Sequence, residues 1–395
     1  MFGILLQFQN MFRQHSVFNL VCFLVISLGA AGSISDQWAQ AETEIVSTST
    51  PATVTVPSAL PLAAREKPPA QTVKGIYLTA YSAASPDKLR AILRLIQRTE
   101  LNAVVIDIKD YTGYVLYDSA VPLVNQLKTK KPILSDLSSI ITQLHQAGVY
   151  VMARQVVFQD PVLAGRRPEW AIKSKRGGRW RDYKGLTWVD PTRREVWEYN
   201  LAIAKEAISL GFDEINFDYI RFPSDGNIRL VKYTNGNQSR AQVMAKFYQY
   251  LGEELGQEPA WISLDLFGLT MEAAGQNDLN IGQRIADAAP HVDYISPMMY
   301  PSHYPRGHLG LKNPAAAPAK VIAYGLKLGL PKFADKRARV RPWLQAFNLG
   351  AVYDAKKIRA QIDAVEKVSD AGWLLWNSRN HYTAAGLKTE LAGDR

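Results

Sequence analysis

The sequence predicts a (β/α)8 barrel, the TIM-barrel class of α/β fold, placed after an N-terminal signal and a linker. Three observations predict it. Eight short apolar runs recur after residue 72, amphipathic stretches separate them, and polar or aromatic residues follow the runs at the same end. A doubly wound open sheet is the competing fold, but it would carry a GxGxxG turn after a strand, and this chain has none.

The first 41 residues resemble a secretory signal peptide. Arg13 precedes an apolar run over 17–28, and the triplet 39–41 (Ala-Gln-Ala) resembles a cleavage site. An uncleaved anchor is the alternative, although the run is shorter than the roughly 20 residues of a spanning helix. The only cysteine, Cys22, lies in this run, so a cleaved chain has no disulfide. We therefore expect export to the periplasm or cell surface.

Residues 42–72 are rich in Thr, Ser, Pro and Ala without periodicity, which is typical of a disordered linker. The barrel is expected over 73–393. Residues 313–335 fit no clean βα unit and are interpreted as an inserted loop, with 321–324 as an alternative sixth or seventh strand. Strands are predicted at 75–79, 103–108, 149–153, 215–217, 261–267, 292–296, 343–347 and 373–376.

Helices are predicted between several of these strands. Ser85-Pro86-Asp87 opens one that runs to about residue 99, because proline is well tolerated in the first helical turn. Further helices are expected from 135 to 148, from 193 to 210 and from 241 to 255.

The most informative segment is 213–223, which reads DEINFDYIRFP. A short apolar strand ends in Asp218, Tyr219 and Arg221, and Pro223 prevents its continuation in a sheet. Ligands bind at the carboxyl ends of parallel strands, so these side chains are candidates for a site. An ion pair between Asp218 and Arg221 that only holds the loop is the alternative.

The other predicted strands also end in polar or aromatic groups. In a barrel these ends converge on one mouth, so we expect a shared cleft. Besides Tyr219 and Arg221, the predicted substrate-binding residues are Asp107, Lys109, Arg154, Tyr300, Trp376 and Asn377.

Paired carboxylates are the chemistry that fits this cleft. The chain has no HExxH motif, no GxSxG elbow and no His-x-His pair, so we expect no metal and no cofactor. Asp218 and Asp265 end neighbouring strands and could provide the ionised and protonated groups that glycoside hydrolysis requires. Arg221 or Arg154 would keep one carboxylate ionised, and burial against aromatic rings would raise the pKa of the other.

Several motifs resemble a bacterial family described as glycosyl-hydrolase-like (DUF4015), over about residues 73–388. They include GIYLTAYSA, VVIDIKDYTGYV, GFDEINFDYIRFPSDG, VDYISPMMYPSHY and GWLLWNSRNHY. The resemblance implies an α-amylase-like barrel, in which Asp218 matches the nucleophile and Asp265 the acid. Two positions depart from that pattern, since the usual acid is Glu and the usual arginine two residues before the nucleophile is Asn216. Glu272 lies later in the same loop, and Asp107 or Asp110 could serve as the acid instead.

The formal net charge of +10 favours contact with anionic surfaces, including anionic envelope polymers. The basic residues are scattered rather than gathered into one stripe, so a nucleic-acid partner is not expected. Nothing in the sequence indicates a specific protein partner. We predict a glycosidase acting on a polysaccharide or oligosaccharide, with a non-catalytic carbohydrate-binding or envelope-scaffolding protein as the alternative.

Overall fold

The computed structural model describes residues 66–234 and 236–389, and in this part of the chain eight parallel strands close into a barrel. Strand Val73–Leu78 pairs with both Ala103–Lys109 and Gly372–Trp376, which closes the sheet on itself. The predicted (β/α)8 barrel is thus confirmed, and the doubly wound open sheet is wrong. The barrel strands are β1 Val73–Leu78, β2 Ala103–Lys109, β3 Tyr150–Val156, β4 Glu214–Asp218, β5 Trp261–Phe267, β6 Tyr294–Met299, β7 Trp343–Gln345 and β8 Gly372–Trp376.

The predicted signal peptide over 1–41, with Cys22, lies outside the described residues. The same holds for linker residues 42–65 and for residues 390–393. Among the helices of the described ranges, none is both long and apolar enough to cross a membrane.

Helices alternate with the strands and cover the outside of the barrel. Shorter helices occur at Ala80–Ala83, Pro122–Leu127 and Pro161–Arg166. The helices that connect successive barrel strands are α1 Pro86–Ile96, α2 Leu137–Gln146, α3 Arg194–Ser209, α4 Arg240–Leu255, α5 Ile285–Ala288, α6 Pro318–Gly329 and α7 Ala355–Glu366.

Side-chain caps set the starts of two of the predicted helices, α1 and α2. The Ser85 hydroxyl accepts from the backbone N–H of Lys88, and Pro86 occupies the first turn of α1. Asp136 caps α2 in the same way, by accepting from the N–H of Ser139. The sequence predicted these starts because capping depends on residues next to each other in the chain.

Helix α6 corrects two sequence-based expectations. Residues 321–324 are not a strand, and the segment 313–335 is not merely an inserted loop, because α6 supplies the helix between β6 and β7. Its Gly325 and Gly329 allow close packing, since a Cβ at Gly329 would lie 2.1 Å from the Met271 side chain. Glycines weaken the helical pattern in sequence but are required by this contact.

Strand β4 shows how the barrel separates two environments. Ile215 and Phe217 point outward and are fully buried against the helices, each contributing about 2–3 kcal/mol. Glu214, Asn216 and Asp218 alternate with them and point into the barrel. A column of polar groups from one strand therefore leads up to the mouth.

The lower part of this column is held by buried partners. Glu214 forms an ion pair with Arg341 and accepts from the Tyr150 hydroxyl at 2.9 Å, and the ion-paired side chains are both fully buried. Asn216 donates to Ser263 Oγ at 3.0 Å. A buried polar group without a partner is costly, so these bonds fix the side chains beneath the site.

Short strands extend the barrel sheet at two places and form a separate ribbon at a third. Val115–Tyr117 runs antiparallel to β2 and carries Lys130–Leu134 beside it, and Arg339–Val340 runs parallel to β6. Lys173–Ser174 and Val231–Lys232 form a separate two-stranded ribbon, which joins the loops after β3 and β4.

Residues 66–72 of the predicted linker pack against the amino-terminal ends of the barrel strands. Lys67 pairs with Asp293 at 3.4 Å and lies over the Trp261 ring, whose Nε1 donates to the Pro68 carbonyl at 3.0 Å. Thr72 donates to the Asp370 carbonyl at 2.7 Å. The compact unit thus begins at Glu66, before the predicted boundary.

A chain that begins at Val73 should be less stable than one that begins at Glu66. The shorter chain loses these hydrogen bonds and the cation–π contact, worth about 1–3 kcal/mol together. Urea unfolding of both chains measures the difference, and Thr72→Val in the longer chain isolates one bond. Equal unfolding free energies would show that the segment contributes nothing.

Candidate active site

Asp218 ends β4 at the carboxyl end of the barrel, where a sharp turn begins. Tyr219 adopts the left-handed backbone conformation with φ +53°, which is uncommon for a residue other than glycine. Its N–H donates to Asp218 Oδ1 at 2.6 Å. Strained backbone of this kind costs of order 1–3 kcal/mol and is found mostly at functional sites.

Arg154, from β3, holds Asp218 and Asp107 together. Its Nε and Nη2 donate to Asp218 Oδ2 at 3.1 and 2.5 Å, and its Nη1 donates to Asp107 Oδ1 at 2.6 Å. Although burial opposes its charge, Asp107 and then Asp218 raise the pKa of Arg154 well above its usual value. One cation therefore lies between two carboxyl groups on the floor of the cleft.

Asn216 stands where the family resemblance implies an arginine, and Arg154 lies beside it. In the β3–β4 ladder Arg154 is the register partner of Asn216. An arginine of the neighbouring strand therefore lies at the same level of the barrel as Asn216.

Asp107 is bound from a second side by β1. The Tyr77 hydroxyl donates to its Oδ2 at 2.5 Å, and the Tyr77 ring stacks on Trp376 at 3.9 Å. The guanidinium of Arg154 lies 5.0 Å from the same indole. Burial raises the pKa of Asp107 despite Arg154 and Tyr77.

Asp265 has a different environment. Its Oδ1 accepts from Asn216 Nδ2 at 2.8 Å and from Trp343 Nε1 at 2.7 Å, and it has no basic partner within ion-pair distance among the described residues. Burial, and next the charge of Asp218, raise its pKa well above the usual value. The buried surroundings of Asp265 thus favour its protonated form over its ionised form.

Asp218 and Asp265 lie side by side on adjacent strands. The register of β4 against β5 pairs Phe217 with Leu264, so the next residue of each strand continues the ladder on the interior face. Neighbouring strands are about 4.8 Å apart. Two carboxyl groups with different hydrogen-bond partners thus face the same part of the cleft.

Aromatic side chains surround this pair. Tyr300 follows β6 and is buried, with its ring edge-on to Phe347 at 5.7 Å. Burial, and next the charge of Asp265, raise the pKa of Tyr300 well above its usual value. Tyr219 and Trp376 are only partly buried and offer ring surface at the mouth.

Arg221 does not pair with Asp218, so the loop-holding ion pair considered from sequence is wrong. Its Nη1 donates to the Phe222 carbonyl at 3.2 Å and to Ser224 Oγ at 3.0 Å. The guanidinium lies among aromatic rings instead.

Two predicted binding residues have side chains that are bonded within the protein. Lys109 is fully buried and contacts Asp160 at 2.7 Å and the Val156 carbonyl at 2.8 Å. Asn377 donates to the carbonyls of Ala346 and His381, and so joins the loops after β7 and β8. The structure thus brings together Asp218, Asp265, Asp107, Arg154, Tyr219, Arg221, Tyr300 and Trp376.

Sequence reasoning missed Tyr77 and Trp343, which donate to Asp107 and Asp265. Both lie within strands rather than after them, so a search of strand ends passes over them. Strict alternation along β1 and β7 is the signal that would have placed them on the interior face.

The alternative acids occupy other places. Asp110 accepts from the N–H and hydroxyl of Thr112 and so closes a turn. Glu272 lies beside α6, 3.4 Å from His308, and burial raises its pKa to about 7. Within the described ranges, no group of three or more His, Cys, Asp or Glu side chains could hold a metal ion.

The closed barrel and its paired carboxyl groups define a glycoside-hydrolase-like (β/α)8 domain. The chain belongs to the family DUF4015, whose model bears the description "Putative glycosyl hydrolase domain" and matches residues 75–382. Among curated proteins, none matches the chain.

Several solved structures are similar to this chain. A hypothetical protein from Ruminiclostridium thermocellum is 39% identical, with a TM-score of 0.45 over 48% of this chain and 96% of its own. The glycoside hydrolase domain of PgaB (BpsB) from Bordetella bronchiseptica is 16% identical, with a TM-score of 0.55 over 78% and 94%. The glycoside hydrolase domain of PelA from Pseudomonas aeruginosa is 10% identical, with a TM-score of 0.45 over 80% and 98%. The likeness to PgaB concerns the fold.

Proposed function

We propose that this protein is a glycoside hydrolase that cleaves a polysaccharide or oligosaccharide with Asp218 as nucleophile or base and Asp265 as acid. The observation that carries the proposal is the inequality of these neighbouring carboxyl groups. Asp218 is bound by a cation, whereas Asp265 is buried among neutral donors and its pKa is raised. Glycoside hydrolysis needs one ionised and one protonated carboxyl group at the same bond.

We infer that the reaction retains the configuration at the anomeric carbon. Carboxyl groups of retaining enzymes are about 5–5.5 Å apart, and those of inverting enzymes about 6.5–9.5 Å. Adjacent strand positions support the shorter separation. In the retaining sequence, an Asp218 oxygen bonds to the anomeric carbon while Asp265 gives its proton to the departing oxygen. Asp265 then takes a proton from the water that releases the sugar.

The setting of the enzyme is part of the same proposal. Residues 1–41 support export to the periplasm or cell surface, where polysaccharides are accessible. The net charge of +10 supports contact with anionic envelope polymers.

Non-catalytic carbohydrate binding is the second candidate, and one observation favours it. Both oxygens of Asp218 already accept hydrogen bonds within the protein, from Arg154 and from the Tyr219 N–H. A nucleophile would have to exchange part of this bonding for the substrate. A scaffold that only binds sugars would keep it unchanged.

The first experiment offers the purified protein a panel of cell-wall, capsular and storage glycans and measures new reducing ends. Turnover of at least one glycan supports hydrolysis. Glycan binding without turnover anywhere on the panel would instead establish the second candidate.

Asp265→Asn should lower turnover by about 10²–10⁴-fold, the usual contribution of a general acid. Wild-type activity should fall as pH rises through the raised pKa of Asp265, because the proton to be donated is lost, and the variant should lack this alkaline limb. The folded wild type holds a proton that the unfolded chain has released, so its stability declines as pH rises from the unfolded pKa.

Asparagine can still accept from Asn216 and Trp343, so the variant should be at least as stable as wild type at neutral pH. Urea unfolding of the variant and of the wild type measures this difference in stability. Full activity in Asp265→Asn would remove Asp265 as the acid, and an unfolded variant would show a structural role.

A further inference from the structure

Arg221 lies at the mouth of the barrel, in the turn that follows β4. Three aromatic rings surround its guanidinium, with centroids 5.1 Å away for Trp188, 5.2 Å for Tyr219 and 4.8 Å for Phe267. Trp188 belongs to the loop after β3, and Phe267 ends β5. The side chain is only 8% exposed, so its position is fixed.

This cation has no direct counter-ion among residues 66–234 and 236–389. No carboxylate of the described residues forms an ion pair with Arg221, although Asp225 and Asp218 lie within electrostatic range. Burial lowers the pKa of Arg221, and the surrounding carboxylates do not outweigh it. A buried cation of this kind is costly unless it is paired in the working state of the protein.

One edge of the guanidinium makes no hydrogen bond within the described residues. Nη1 makes both of the bonds, to the Phe222 carbonyl and to Ser224 Oγ. Nε and Nη2 form the opposite edge, and neither is among the buried nitrogens sealed from solvent. By contrast, the two unbonded nitrogens of Arg341 are sealed inside the barrel.

In Arg154, the corresponding edge of the guanidinium binds a carboxylate. Its Nε and Nη2 both donate to one carboxylate oxygen, Oδ2 of Asp218. A planar guanidinium binds planar carboxylates through two parallel donors. The equivalent edge of Arg221 is therefore suited to a carboxylate from outside the protein.

We propose that Arg221 is a specificity residue that binds the carboxylate of an acidic sugar, so that the polymer cleaved here contains uronic or other carboxylated units. This rests on the proposed function in taking the ligand to be a glycan. Arg221 is three residues from Asp218, and Phe267 is two residues from Asp265, so the carboxylate would lie close to the reacting bond. The partly buried Tyr219 ring provides an apolar surface for the same sugar.

The test measures binding rather than turnover, by titration calorimetry with Asp218→Asn protein. The probes are oligogalacturonate and hyaluronan oligosaccharides, their methyl esters, and neutral cello- and chito-oligosaccharides of equal length. We expect at least one free acid to bind at least tenfold more tightly than its own ester. Arg221→Met should abolish that preference, and Arg221→Lys, which keeps the charge but loses the fork, should reduce it.

Arg194→Met is the matched control. Arg194 also lies over aromatic rings, those of Trp197 and Tyr250, but it belongs to α3 on the outside of the barrel. Its removal should leave the preference unchanged. The comparison of acid with ester needs no change at Arg221, so it remains decisive even if Arg221→Met does not fold.

Equal binding of acids and esters, no binding of any acid, or a preference that survives in folded Arg221→Met would overturn the inference. A measurement of hydrolysis distinguishes failure of this inference from failure of the proposed function. Cleavage of a neutral glycan that Arg221→Met leaves unchanged would refute only the inference. Acid-specific binding that depends on Arg221, without turnover in wild type, would refute only the hydrolase.

Discussion

Asp218→Asn should reduce turnover by about 10³-fold or more while the protein still folds. Asparagine has nearly the same shape and can accept from Arg154 through its carbonyl, but it cannot act as an anionic nucleophile or base. The measurement is the release of reducing ends from whichever glycan the wild-type protein cleaves. Circular dichroism and urea unfolding show whether the fold is retained.

Asp110→Asn is the matched control for this change. Asp110 is on the same rim but closes the turn at Thr112, so its variant should keep activity within about twofold. Unchanged turnover in Asp218→Asn would exclude Asp218 as the catalytic group. Loss of turnover in Asp110→Asn alone would instead assign the catalytic role to Asp110, which follows β2.

Arg154→Met should destabilise the fold by about 3–5 kcal/mol at neutral pH. It leaves Asp107 and Asp218 buried without their shared cation, and an uncompensated buried charge is among the costliest single changes. Urea unfolding measures the loss. Activity should disappear as well, because the anion on β4 loses its support.

The loss of stability in Arg154→Met should depend on pH, and its direction follows from the pKa of Asp107. Arg154 lowers the pKa of Asp107, so its removal raises that pKa further above the unfolded value. A carboxyl group whose folded pKa is raised loses stability as pH rises from its unfolded pKa. The variant should therefore be closest to wild type near pH 4 and furthest from it at pH 7.

Arg90→Met provides the comparison for Arg154→Met. Arg90 also pairs with an aspartate, Asp87, but its side chain is 56% exposed, and such pairs contribute about 0–1 kcal/mol. A similar small effect in Arg154→Met would mean that the buried carboxyl groups are protonated rather than neutralised by Arg154.

The barrel was predictable because it depends on patterns within short segments. Apolar runs, caps and the alternation of Ile215 and Phe217 with polar residues all act locally. The convergence of strand ends then follows from the fold class, and it predicts that Asp218, Asp265 and Arg154 lie in one cleft.

Contacts between strands were not predictable in the same way. Whether Arg154 or Arg221 supports Asp218 depends on the register of β3 against β4, which pairs Arg154 with Asn216. Lys109 shows the same limit, because a register shift between Asp107 and Lys109 breaks the alternation and turns the amine toward Asp160.

The segment at residues 66–72 has a practical consequence for handling the protein. It joins the barrel at the amino-terminal ends of the strands, beside Trp261, Asp293 and Asp370, whereas the carboxyl groups of the cleft lie at the opposite ends. A purification tag, a fluorophore or a chromatography bead attached ahead of Glu66 would therefore point away from the mouth. The domain can be immobilised through that end for glycan capture with its cleft facing the solution.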